Sequence, residues 1–337
     1  MVDWTSGYSA TYYMTRVDPI TWRDLERIEI IGGSISRELD GLQQTADIST
    51  LNYPPGREDW IRIHMNAKQG ENSEHLALFT GLATTPDRDI DGNRENSSLQ
   101  CYSVLKFADD KMLERGWYAP AETDGAALIE KLLRPFHLRP TITGERRLLQ
   151  DAIVAEDGET VLTMIERILS AINRQLKIDG WGAISIGPYV NEPIYTLDPL
   201  ENDIIETQIK VTADWYSCPN VFMAINNDVT GIAKDEDENS PLSIQNRGRE
   251  VWMYESSCNL AENESIAQYA DRRLGEEQAY ATSGSYERRF LPDVLPGDVI
   301  RLRYPNQGLN GDFIVKSQSI ELGHAGKTSE EVTGGMI

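Results

Sequence analysis

Trp60-Ile61-Arg62-Ile63-His64-Met65 decides the fold class. Ile61, Ile63 and Met65 alternate with Arg62 and His64, and that period of two puts successive side chains on opposite faces of a half-buried strand. Working outward, Glu26-Arg27-Ile28-Glu29-Ile30-Ile31 shows the same alternation before Gly32-Gly33, a pair able to take the positive φ of a tight turn. On the other side, Leu76-Ala77-Leu78-Phe79-Thr80-Gly81-Leu82 leads into the polar tip Pro86-Asp87-Arg88-Asp89-Ile90-Asp91-Gly92-Asn93. A return segment, Leu99 to Val104, follows. Antiparallel hairpins account for this pattern, so residues 1–105 read as a first β-barrel-like domain.

The period then changes, and residues 106–182 read as a helical insertion. Asp124 can cap a short helix carrying Ala127, Leu128, Leu132 and Leu133, which Pro135 stops by removing an N–H. A second helix places Val161, Ile165, Ile168, Leu169, Ile172 and Leu176 at three- and four-residue spacing, with Glu166, Arg167, Asn173 and Arg174 opposite. Asp157 is its expected N-cap and Asp179-Gly180 its expected end.

Strand signals resume over residues 183–337 in Ile204 to Val211 and Val221 to Ile225. A helix over about 260–279 is expected to start near Asn259 with Glu262 in a capping box and to bury Ile266, Ala270 and Leu274. Pro296-Gly297-Asp298 turns into Val299 to Tyr304, and Asn310-Gly311 turns into Asp312 to Lys316, a closing hairpin. The tail from Gly323 to Ile337, polar and glycine-rich, is expected to be loosely held. The fold class is α+β, mainly β: two β-barrel-like domains with a small helical insertion and one further C-terminal helix.

Composition narrows the function. The 337 residues hold 54 Asp plus Glu against 32 Lys plus Arg, a net charge of −22, with no segregated basic stripe. A surface so acidic repels a phosphate backbone, which excludes a dedicated nucleic-acid binder. The N-terminus Met1-Val2-Asp3-Trp4-Thr5-Ser6 lacks a basic and an apolar region, and no stretch approaches the ~18 apolar residues of a membrane span. Cys101, Cys218 and Cys258 form no CxxC pair, so reduced thiols are expected. Residues 191–240 concentrate acid, ending in Asp235-Glu236-Asp237-Glu238, a solvated loop or an acidic wall facing a passing polyanion.

Two motifs suggest chemistry, and each is incomplete. Asp87-Arg88-Asp89-Ile90-Asp91-Gly92 matches the first half of a calcium loop, but Ser98 stands where a bidentate Glu belongs. Gly323-His324-Ala325-Gly326-Lys327-Thr328 ends like a phosphate-binding loop, yet Glu321 replaces its leading glycine. There is no GxSxG elbow, and His64, His75, His137 and His324 form no HExxH and no close pair in sequence. No catalytic, cofactor or metal residues are therefore assigned, and no enzyme activity is expected. A carbohydrate-active enzyme or lectin is the alternative of another class, resting only on 7 Trp, 14 Tyr and the abundant acids.

Arg37-Glu38-Leu39-Asp40, Leu78-Phe79-Thr80-Gly81, Pro219-Asn220-Val221-Phe222, Ser265 to Leu274, Leu291 to Ile300 and Gly308 to Val315 form a set. Together they resemble the baseplate hub proteins of phage tails, of the late-control protein D type, and related tail-tip proteins. The resemblance implies a homotrimeric ring whose two similar barrels per chain imitate six-fold symmetry, adapting a hexameric tail tube to a three-fold spike or tip. It implies partners among the tail tube, spike or tail-tip, tape-measure and other baseplate proteins, and a channel passing DNA without specific binding. It places the chain in the virion baseplate, assembled in the bacterial host cytoplasm. A tip adaptor of a non-contractile tail is equally compatible.

Overall fold

The computed structural model describes residues 1–51, 53, 58–84, 86–92, 94–201, 204–213, 215–226, 228–256, 258, 260, 264–279, 282–304, 309–323 and 326–334. The chain opens with β1 (Ser9–Val17), β2 (Asp24–Ile28), β3 (Ile30–Glu38), β4 (Gln44–Leu51), β5 (Asp59–Gln69), β6 (Asn72–Ala83), β7 (Asp87–Asp91) and β8 (Arg94–Ser103). A mixed segment follows: α1 (Lys106–Asp110), β9 (Tyr118–Ala119), α2 (Gly125–Leu133), β10 (Thr141–Ile142), β11 (Ile153–Val154), α3 (Val161–Ala171), β12 (Gln175–Ile178) and β13 (Ile184–Gly187). The last part comprises β14 (Pro193–Leu197), β15 (Ile205–Ala213), β16 (Val221–Asn226), β17 (Val229–Lys234), α4 (Ile244–Arg247), β18 (Trp252–Ser256) and α5 (Ile266–Ala279). It ends with β19 (Thr282–Arg288), β20 (Val299–Tyr304), β21 (Leu309–Leu322) and β22 (Thr328–Gly334). The architecture is α+β and mainly β.

One sheet carries most of these strands, in the order β15-β19-β22-β21-β3-β4-β8-β6-β5-β1-β2, with β20 and β14 branching from β21 and β7 from β8. Its first half closes. The chain from Asp24 to Glu38 bends at Glu29, so that β2 pairs with β1 while β3 pairs with β4, completing a ring through β5, β6 and β8. Thr50 Oγ1 fastens the bend by donating to the Glu29 carbonyl at 2.7 Å. The second half curls as well: β20 and β15 lie four strands apart in the pairing order, yet the Tyr304 hydroxyl at the end of β20 reaches the Glu206 carbonyl at 3.2 Å. A flat sheet would separate them by some 15–20 Å. The two halves share one core, in which Ile35, Ile61, Ile63 and Phe79 pack with Ile300, Phe313, Val315 and Val332. Each such buried side chain contributes about 1.5–3 kcal/mol.

The middle segment has a core of its own, built from Ile129, Leu133, Ile165, Ile168, Ile172, Ile178 and Ile186. It is less helical than the periodicity predicts. The second helix ends at Ala171 rather than at Asp179, because Asn173 takes φ 50° and turns the chain out of the helix. Leu176 then sits on β12, paired with Ile186 of β13. Its N-cap is Thr160, whose hydroxyl accepts from the Thr163 N–H at 3.2 Å, and not Asp157. Asp124 does cap α2, but Ile129 rather than the exposed Ala127 faces inward.

Two turn assignments also shift. Gly32 and Gly33 lie inside β3, where a register break between Ile30 and Gly32 replaces the expected turn. Gly33 has φ 148° and its added Cβ would stand 2.1 Å from the Asp47 carbonyl oxygen, so glycine is required for close approach. Asn310 and Gly311 pair with Arg303 and Leu302 inside the β20–β21 ladder. Within the tail, Thr328–Gly334 is not loose but forms β22, an interior strand between β19 and β21. Asn259 and Glu262 lie outside the described residues. The observed cap of α5 is Ser265, whose hydroxyl accepts from the Gln268 N–H at 3.3 Å while Gln268 Oε1 accepts from the Ser265 N–H at 2.9 Å. Ala270 and Leu274 pack α5 against β16 and β17 as expected.

Candidate functional site: a polar face across one sheet

The β3–β21 pairing is the seam that joins the two halves, and around it one sheet face is polar across many strands. Cross-strand partners can be followed as rows. Glu287, Ser329, Ser319, Ser36, Thr45, Tyr102 and Leu82 are successive neighbours from β19 to β6. A parallel row runs Lys210, Ser285, Glu331, Ser317 and Glu38, and another Glu321, Ser34, Asp47 and Gln100. Strand alternation explains why these residues share a face, since Ile35, Ala46, Ile48, Leu99, Cys101, Ile320 and Val332 point the other way, into the core. Part of this face is a concave region of about 510 Å³ lined by Ser36, Glu38, Gln208, Ser285, Ser319 and Glu331, among others. Lys210 also lines this region, and two further lysines nearby face carboxylates. Lys327 contacts Glu206 and Glu287, and Lys316 lies 3.5 Å from Glu331.

Directly behind the seam lies a buried polar row: Gln44, Arg37, Gln318, Glu330 and Tyr286, again neighbours on five adjacent strands. Glu330 is the hub of its bonds. Arg288 donates to it through Nε at 2.9 Å and Nη2 at 2.6 Å, Gln318 through Nε2 at 2.7 Å, and Tyr286 through its hydroxyl. Burial alone would raise the Glu330 pKa, but the Arg288 charge and these donors hold it below the ordinary carboxylate value. Arg37 donates to the Leu78 carbonyl at 2.8 Å, while its Nε and Nη1 have no protein partner. Burial, with the like charge of Arg288, lowers the Arg37 pKa to about 10. Two arginines and one glutamate therefore share the interior at the seam, a costly arrangement.

The residues singled out from sequence fall elsewhere. Asp87, Asp89 and Asp91 lie on β7, an extended strand, so their carboxylates are strung along it instead of wrapped around a point; Arg88 is held by Glu95 at 2.5 and 2.6 Å. Among the described residues no three metal-ligating side chains gather. Thr328 of the phosphate-loop-like motif begins a strand and not a helix, and His324 lies outside the described residues. Cys101, Cys218 and Cys258 are buried thiols. Asp235 caps its own loop, accepting from Ser240 Oγ at 2.6 Å and Gln278 Nε2 at 3.0 Å. The acidic run thus belongs to the small unit of β16, β17, β18 and α5 rather than to the polar face. Sequence reasoning missed one close pair: His64 Nδ1 and His75 Nε2 are 2.9 Å apart, brought together by the β5–β6 hairpin.

Among the described residues no helix is long and apolar enough to cross a membrane. No protein-family model matches the chain, and no curated protein matches its sequence. Solved structures do match. The tail protein from Neisseria meningitidis MC58 superposes with a TM-score of 0.71 at 13% identity, covering 97% of this chain and 97% of that one. The 43 kDa tail protein of prophage MuSo2 from Shewanella oneidensis gives 0.70 at 12%, covering 96% and 98%. A type VI secretion component from E. coli, described as structurally similar to T4 bacteriophage tail proteins, gives 0.54 at 9%, covering 92% and 74%. The chain has the fold of phage tail proteins over nearly its whole length.

Proposed function

We propose that this chain is the structural hub of a phage or phage-like tail. Three copies form a ring around an axial channel, with the tail tube on one side and a spike or tip on the other. The observation that carries this reading is the continuous polar face. On one side of the seam the sheet runs as the hairpin β3–β4 followed by β8 and β6, and on the other as the hairpin β21–β22 followed by β19 and β15. Each chain thus contributes two similar walls, and three chains contribute six, the number needed to continue a six-fold tube. The outer edge of β15 has no strand partner among the described residues; its Glu206 carbonyl takes the Tyr304 hydroxyl, and the rest of that edge is offered to a neighbouring copy. Residues 1–105, 106–182 and 183–337 act as the three domains of the subunit, the first and last supplying the walls.

A channel faced mainly with serine, glutamine and carboxylate, in which Lys210 is outnumbered by Glu38, Glu206, Glu287 and Glu331, gives a passing polyanion little to bind. The chain works by shape and breaks no covalent bond. Sedimentation and negative-stain imaging of the purified protein with its tail tube partner test the reading. Rings of three subunits are expected, and a lasting monomer that never incorporates into tails would overturn it.

A further inference from the structure

The second half of the middle segment is tied to the first barrel by Gln43 and Gln44, which donate to the Leu176 and Ile178 carbonyls at 2.6 and 2.7 Å, and by the turn that follows β12. The turn between β12 and β13 lies against β6 so closely that a Cβ on Gly180 would fall 1.8 Å from the Ala77 carbonyl oxygen, and Thr80 Oγ1 donates to the Gly180 carbonyl at 2.8 Å. Trp181, at the tip, sits edge-on to both imidazoles of the histidine pair, with centroids 6.0 Å from His64 and 5.8 Å from His75. The Arg62 guanidinium lies 5.0 Å from the Trp181 ring centroid and donates to the Trp181 carbonyl at 3.3 Å.

The hydrogen bonds around the pair run in one direction. Asp24 Oδ1 accepts from Arg62 Nη1 at 2.6 Å and from the Thr15 hydroxyl at 3.1 Å. Thr15 has spent its only hydrogen, so at 3.0 Å it accepts from His64 Nε2. His64 Nδ1 is then bare and accepts from His75 Nε2–H. This chain leaves space for one proton between the facing nitrogens. With His75 Nε2–H committed to His64, a proton on His75 Nδ1 leaves that bond intact. A second must enter on His64 Nδ1, where it meets the His75 N–H head on.

We propose that the His64–His75 pair is an acid-release clasp: it holds the β12–β13 turn on the first barrel through one protonation and frees it on the second. The charged and titratable groups that face the pair favour release once both rings are charged. Arg62 on β5 and Arg27 on β2, which stacks 4.1 Å over the Tyr13 ring, repel an imidazolium, and Asp24 on β2 is already engaged by Arg62. Tyr13 on β1 stacks on His64 at 4.7 Å, and its hydroxyl lies 3.2 Å from His75 Nε2. Burial, opposed by Asp24 and reinforced by His75, Arg62 and Arg27, pushes the His64 pKa down to about 4.

The test combines ring-nitrogen NMR, tractable with four histidines in the chain, with hydrogen exchange of Asp179–Ile184 corrected for intrinsic rate. Protection of the turn is expected to persist below the ordinary imidazole range and to vanish as His64 gains its second ring proton, while the β5 and β6 amides stay protected. His64→Gln keeps an acceptor and a donor but cannot charge, so its turn should remain protected through the same range. An identical pH profile in wild type and His64→Gln would overturn the proposal. So would charging of His64 with no change in the turn, read on the wild-type protein alone, or loss of turn and barrel protection together.

Discussion

Glu330→Gln isolates the energetic cost of the seam. The substitution is nearly isosteric, yet it removes the one negative charge facing Arg288 and leaves Arg288 and Arg37 buried together, at 2% and 3% exposure. It also converts a bidentate ion pair at 2.9 and 2.6 Å into a single neutral contact and takes an acceptor from one of the two, Tyr286 on Oε2 or Gln318 on Oε1. Breaking a buried pair by removing one partner costs about 3–5 kcal/mol, because the remaining charge loses its compensation. The value belongs at the upper end of that range here, since two cations and not one are left. Urea denaturation followed by the far-ultraviolet signal of the sheet measures it as a shift in midpoint. Adding Arg288→Met to Glu330→Gln removes one of the stranded cations and should recover a large part of the loss, which identifies charge, and not packing volume, as the cause. A loss below about 1 kcal/mol in the single variant, or no recovery in the double, would refute the argument.

Other perturbations follow from the same geometry. Gly180→Ala forces a Cβ into the Ala77 carbonyl and should cost about 1–3 kcal/mol while loosening the β12–β13 turn first, as hydrogen exchange would report. Truncation before Thr328 removes an interior strand and Glu330 with it, so the shortened chain should aggregate on size exclusion instead of running as a folded species. His64 has a folded pKa of about 4, below the unfolded 6.5, so the unfolded state binds the extra proton. Stability should be fully present above 6.5 and fall as pH drops toward about 4, by at most about 3 kcal/mol, and a flat melting temperature across that window in wild type would contradict the sign. Lysines in place of Ser36, Ser319 and Ser329 should leave folding within about 0.5 kcal/mol per site but slow passage of nucleic acid through assembled tails; unchanged delivery would place the row elsewhere.

The parts of this fold that sequence reading recovered are those with a clean period and an apolar face. β5 announces itself through Ile61, Ile63 and Met65, and α3 through Ile165, Ile168 and Ile172, because each buries a simple stripe. β22 did not, since its inward positions hold Thr328 and Glu330, and a glutamate reads as surface until Arg288 is brought to it from 42 residues away. The glycines misled for a related reason: Gly33 resembles turn chemistry, but what it supplies is room for the Asp47 carbonyl on the next strand. The polar face was invisible for a third reason. Ser36, Ser319 and Ser329 are unremarkable singly, and only the cross-strand register lines them up. The acidic run at Asp235 to Glu238 drew the eye as a channel wall because charge clusters are visible in sequence and rows across strands are not.

The central claim is that the serine-rich face on either side of the β3–β21 seam looks into an axial channel. A cryo-electron microscopy map of the assembled tail, with a gold cluster coupled to Ser319→Cys, tests it most directly. The account predicts three labels, one per subunit, projecting into the central hole. Labels on the outer surface of the particle, or buried between neighbouring proteins away from the axis, would contradict it.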